Sequence, residues 1–240
     1  MRLQIASDLH FEFHHDGGRE FINAMPVVGD ILVLAGDVHL IFSLRSVMRQ
    51  FAARWPRIIA VTGEREYFHS DPSTVVREIM AIERELPNVV YLHNGSTITI
   101  KGQRFIGGTL WFPDQPDNTL YQGPLADFNA IRNFVPWVYE ANRSTVRALR
   151  ENLNAQDVLV THHLPSEICF HPRFRGSPLN RFFVSPIDDL LLERQPKLAI
   201  CGHTHSSVDV AIGSTRIVCN PLGYPREGAH KFDTSFVIEI

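Results

Sequence analysis

The sequence predicts an α/β fold in which two mixed β-sheets pack face to face as a sandwich flanked by helices. Three observations predict it. In the first half, short apolar runs alternate with stretches of helical periodicity. In the second half the chain returns mostly to short strand-like runs. Several runs are apolar at every position, as in Ile31-Leu32-Val33-Leu34-Ala35, which marks strands covered on both faces. Alternation first and strands later describes layered sheets with helices outside. No linker, repeat or low-complexity segment interrupts the 240 residues, so one domain over residues 1–240 is expected.

The elements follow in order. Arg2 to Ala6 and Ile31 to Ala35 read as strands. Leu44 to Trp55 has helical spacing of its apolar residues, and Pro56 stops it. Arg57 to Thr62 is the next strand. Asp71-Pro72-Ser73 opens a helix, with proline in its first turn, that runs to about Leu86 before Pro87. Val89 to Leu92, Thr97 to Lys101 and Arg104 to Gly108 are strands separated by the turn pairs Asn94-Gly95 and Lys101-Gly102. Trp111 to Pro136 is rich in Pro, Asp and Asn and is expected to be irregular and substrate-facing. A helix over Val138 to Leu153 follows, then strands at Val158 to Val160 and Leu198 to Cys201, with a helix between them at about Pro186 to Arg194.

Composition excludes several classes. The formal charge is −3, so no general attraction to nucleic acid or acidic membranes is expected. No run approaches the ~18 apolar residues of a membrane span. The three cysteines, Cys169, Cys201 and Cys219, lack metal-binding spacing and read as small buried apolar groups. An unpaired cysteine set and an N-terminus without a signal-peptide pattern point to the cytoplasm.

The chemistry lies at the strand ends. Asp8 and His10 follow the first strand, and Gly36-Asp37 the second. Thr161-His162-His163 and Gly202-His203-Thr204-His205 follow two later ones. Alone, Asp-x-His or Gly-Asp is an ordinary solvated turn, and two histidines two apart can simply share one face of a strand. Four such clusters after four strand-like runs are a different matter, because strand ends of one sheet lie side by side. Carboxylate oxygens with imidazole nitrogens are the ligands of Mn, Fe or Zn. The sequence thus points to a metal site, one with room for two ions.

In this order the motifs resemble those of the calcineurin-like metallophosphoesterases, and the resemblance runs from Ser7 to His205. Gly108-Thr109-Leu110-Trp111 and Asn220-Pro221-Leu222-Gly223-Tyr224-Pro225 are similar to bacterial members. The resemblance implies a two-sheet sandwich flanked by helices and a centre of two divalent ions. It implies Asp8, His10 and His205 on the first ion, Asp37 as the bridge, and His162 and His203 on the second. The implied substrate is a small phosphomonoester or phosphodiester. One stretch departs from the family: where Gly-Asn-His-Glu is the pattern, this chain has Gly63-Glu64-Arg65-Glu66. Glu64 would replace a neutral amide ligand with an anionic one. Arg65 cannot donate a proton at neutral pH, but it can grip a phosphate with two parallel hydrogen bonds. The expected catalytic residues are therefore Arg65 and His163, with His69 or water as other proton sources. The competing expectation is an impaired, phosphoesterase-like module that binds metal and ligand. A nuclease is a third reading, disfavoured by the lack of basic excess.

Overall fold

The first apolar run becomes β1 (Arg2–Ala6), and its neighbours in the sheet are the runs that follow it. A computed structural model describes residues 1–227 and 232–240. Strands β2 (Ile31–Ala35), β3 (Ile58–Val61) and β4 (Val89–Tyr91) extend the sheet from β1 in parallel. The second sheet contains β5 (Ser96–Ile100), β6 (Gln103–Gly108), β7 (Val158–Thr161), β8 (Leu198–Ile200), β9 (Val208–Ile212) and β10 (Thr215–Cys219). Its spatial order is β5-β6-β7-β8-β10-β9. The last strand, β11 (Val237–Glu239), returns to the first sheet antiparallel to β1. The β5–β6 hairpin turns at Lys101-Gly102 with φ of 51° and 83°, the left-handed pair that matches strand twist.

Alternate residues of each strand go to different cores. Ile31, Val33 and Ala35 face Phe105, Val160 and Ile200 across the space between the sheets. Leu32 and Leu34 point the other way, toward the helices on the outer face of the first sheet. Leu159, Ala199 and Cys201 do the same on the second sheet. Both faces are thus apolar, which is why these runs show no period-2 alternation. The covering helices are α1 (Arg19–Ala24), α2 (Ile41–Ala52), α3 (Pro72–Glu85), α6 (Phe134–Asn152) and α7 (Asp188–Arg194). Two short ones, α4 (Asn118–Tyr121) and α5 (Asp127–Ala130), lie between α3 and α6 in the chain. Asp71 caps α3 by accepting from the Thr74 N–H at 3.1 Å.

One expectation needs correction. Residues 111–136 are not irregular throughout, since α4 and α5 lie there. Single-turn helices are too short to show a 3.6-residue period. Helix α1 was unforeseen for the same reason. Among the described residues, no helix is long and apolar enough to cross a membrane. All three cysteines are buried and free, as their composition implied.

Candidate metal centre

Parallel β1, β2 and β3 end at one edge of the first sheet, and parallel β7 and β8 end together in the second. The loops after these strands carry the candidate ligands. Backbone hydrogen bonds stitch them together: Asp8 N–H donates to Gly36 O at 3.0 Å, His10 N–H to Asp37 O at 3.0 Å, and Gly202 N–H to His162 O at 2.9 Å. Asp8, His10, Asp37, His203 and His205 all adopt left-handed backbone, with φ between 47° and 68°. Side chains rarely accept that region, at about 1–3 kcal/mol each, unless the surroundings over-determine it. Here the stitched loops do so, and the unusual backbone turns each candidate ligand inward. Gly63 is small for the same purpose: a Cβ there would overlap Asp37 Oδ1 and sit 2.7 Å from His162 Nε2.

The side chains converge in three overlapping groups: Asp8, His10 and His205; Asp8, Asp37 and His162; and Glu64, His162 and His203. Within each group the ligand atoms lie within 4.8 Å of one another. Nε2 of His10 and Nε2 of His205 face each other at 2.9 Å. His10 Nδ1 lies 3.3 Å from Glu12 Oε1, and His205 Nδ1 lies 2.6 Å from Glu227 Oε2. Carboxylates at Nδ1 hold its proton and leave Nε2 as a bare lone pair on both rings. Two opposed lone pairs repel, and a cation between them removes the conflict. His162 repeats the pattern. Its Nδ1–H donates to Ala35 O at 2.7 Å, and its Nε2 faces Glu64 Oε2 at 2.8 Å and Asp37 Oδ1 at 3.6 Å. Glu64 Oε1 lies 3.0 Å from His203 Nδ1, so its carboxylate spans both imidazoles. Asp37 Oδ2 is buried without a hydrogen-bond partner among the described residues. The donor set therefore fits divalent cations.

The electrostatics agree. Burial works to lower the His162 pKa, but the Asp37 and Glu64 carboxylates outweigh it and hold the ring well above the usual imidazole range. A proton stands there in the bare protein where a cation would compete for the same electrons. Burial and the Glu64 charge push Asp37 up.

Arg65 serves this cluster with its backbone, its N–H donating to Asp37 Oδ1 at 2.9 Å. Its guanidinium lies over the Phe68 ring at 4.2 Å, and Nε donates to Glu12 at 2.8 Å. The two terminal nitrogens have no hydrogen-bond partner among the described residues. His163 is placed differently from the expectation of a catalytic residue. It is fully buried behind His203, at 4.3 Å between ring centroids, and packs on Trp111 at 5.2 Å. Burial and the neighbouring histidines hold it well below the usual imidazole range, and it does not line the cavity beside the cluster. A neutral, enclosed ring is not positioned to protonate a leaving group. His69 is exposed and does not line the cavity.

Sequence reasoning missed several contributors. Glu12 lies two residues after His10, a spacing that was available as a signal. Glu227 lies far along the chain from His205 and offered none. The Glu66 carboxylate accepts from the N–H groups of Asp37, Val38 and Gly63 at 3.2, 2.8 and 2.8 Å, tying the β2 and β3 loops together. Burial pushes that carboxyl up to about 7. Tyr224 packs against His10 and His205, at 4.3 and 4.6 Å between centroids.

Solved structures with this architecture are known. The chain is similar to the phosphopantetheinyl hydrolase of Mycobacterium tuberculosis, with a TM-score of 0.73 at 17% identity, covering 99% of this chain and 95% of that one. The chain has the calcineurin-like metallophosphoesterase fold. It shares this fold with the protein TT1561 of Thermus thermophilus, at TM-score 0.57 and 16% identity over 92% of this chain and 88% of that one. A dimetal phosphatase of Danio rerio has the same metallophosphoesterase architecture, at TM-score 0.50 and 11% identity, covering 98% of this chain and 89% of that chain. No family model and no curated protein matches the sequence.

Proposed function

We propose that this chain is a metal-dependent phosphoester hydrolase that holds two divalent ions of Mn, Fe or Zn and acts on a small phosphomonoester or phosphodiester. The observation that carries the reading is the opposition of the His10 and His205 Nε2 atoms at 2.9 Å, beside a second cluster built on Glu64, His162 and His203. Asp8, His10 and His205 would hold one ion and Glu64, His162 and His203 the other, with Asp37 shared. Bound ions supply the acidity that activates water and neutralises phosphoryl oxygens. The chain's own residues do the rest. Glu12, Glu227 and the Ala35 carbonyl fix which imidazole nitrogen is free. The Arg65 N–H and Gly63 hold Asp37 in place. The terminal nitrogens of Arg65 are available to a phosphoryl oxygen. His163 supports His203 from behind as a positioning residue. A single domain acting in the cytoplasm completes the proposal.

Names of proteins with this fold support the reading: one is a phosphopantetheinyl hydrolase and another a dimetal phosphatase. Hydrolysis of bis-p-nitrophenyl phosphate by the Mn²⁺-loaded protein tests it. Turnover is expected that an Asp37→Ala variant lowers by at least 100-fold. Turnover no greater than that of Asp37→Ala refutes catalysis on this substrate. That outcome favours the weak metal- and ligand-binding module, a reading that draws on the Arg65 Nε already engaged by Glu12.

A further inference from the structure

The metal cluster opens onto one end of a cavity of about 440 Å³, lined on that side by Glu64, Arg65, His203 and His205. Away from the cluster the wall changes character. Phe68, Leu125, Phe170, Phe174, Leu179 and Phe183 supply apolar surface. Phe68 and Phe170 are buried against the protein, whereas Phe174 is 41% exposed, a high value for a phenylalanine that serves no core. Phe183 lies face to face with the His203 ring at 4.5 Å, so apolar surface begins directly beside a candidate ligand.

The charges on this wall limit what it can take. Among the described residues Arg65 and Arg173 are its cations and Glu64 and Glu227 its anions, while burial pushes the Asp127 carboxyl up to about 8 and so keeps it protonated at neutral pH. Arg173 lies over the Phe174 ring at 4.4 Å. A chain of phosphates would need a cationic surplus along the wall, and the described residues supply none. A cavity with one charged end and apolar walls takes a ligand of the same build.

From this we infer, building on the hydrolase reading above, that the substrate is an ester of a single phosphoryl group with an uncharged, apolar aryl or alkyl moiety. The phosphoryl group sits at the histidine and carboxylate end. The organic moiety lies against Phe68, Leu125, Phe174 and Leu179.

Two phosphonates that cannot be hydrolysed separate this inference from the reading beneath it. Isothermal titration calorimetry of the Mn²⁺-loaded protein compares phenylphosphonate with methylphosphonate. Phenylphosphonate is expected to bind at least tenfold more tightly, about 1.4 kcal/mol. The ratio is expected to shrink at least threefold in Phe174→Ser, a replacement at an exposed position, and in Leu125→Ser. Equal affinities for the two phosphonates, or a ratio that neither variant changes, overturn the apolar substrate class and leave the metal reading standing. Binding of neither phosphonate, or binding undiminished in Asp37→Ala, overturns both.

Discussion

A metal-binding histidine almost always has its other ring nitrogen held by a hydrogen-bond partner. Glu227 holds Nδ1 of the candidate ligand His205 in this way, at 2.6 Å. Such outer carboxylates are worth roughly 10–100-fold in metal affinity. Glu227→Gln is therefore expected to weaken Mn²⁺ binding by at least tenfold in calorimetric titration; affinity equal to wild type would show that His205 needs no orienting partner. Asp127 presents a different problem at the same scale. Burial first, then the nearby Glu64 charge, pushes its carboxyl from 3.8 up to about 8 in the metal-free fold. The folded state therefore binds more protons than the unfolded chain across that window. Its contribution to stability is complete below pH ~3.8 and is lost as pH rises toward 8. Metal-free Asp127→Asn is expected to lose less stability than wild type between pH 5 and 8 in urea titrations. An unchanged slope would place the Asp127 carboxyl in an ordinary environment.

At the scale of elements, what the sequence revealed depends on length. Helix α3 was legible because a cap, a first-turn proline and four turns of periodicity all agree, and it runs Pro72–Glu85 against an expected end near Leu86. Its cap is testable: Asp71→Ala should cost about 1 kcal/mol by chemical denaturation. No loss would mean that Ser73 and Thr74 satisfy the helix start without it. The strands covered on both faces were equally legible, because runs such as Ile31–Ala35 must be apolar on both faces to lie between two cores, whereas β9, β10 and β11 were not individually placed. Short elements were not: α1, α4 and α5 are four to six residues long and make too little pattern to read. The candidate ligands were legible as types following strands. Their orienting partners were not, since contacts such as His205 with Glu227 or His162 with the Ala35 carbonyl exist only once the loops are brought together. His163 shows the same limit in reverse. Adjacent in sequence to His162, it lies beneath the cluster and does not line the cavity, because successive residues leaving a strand point to opposite sides.

Across the whole molecule, the two sheets divide the work. The first sheet brings Asp8, His10, Asp37 and Glu64 to its strand ends, and the second brings His162, His203 and His205. Neither sheet carries all of the candidate ligands, so packing the core between them is also what assembles the candidate site. The Glu64–His162 and Glu64–His203 contacts at 2.8 and 3.0 Å cross that junction. Glu64 in place of a neutral amide makes the second cluster more anionic, which favours holding a cation over making it acidic. The most direct measurement of the account is anomalous difference density from a crystal soaked in Mn²⁺. Two peaks about 4 Å apart are predicted, with Asp37 between them, Asp8, His10 and His205 around one, and Glu64, His162 and His203 around the other. An absence of peaks among these residues, or a lone peak with the Glu64 carboxylate turned away from it, would contradict the account.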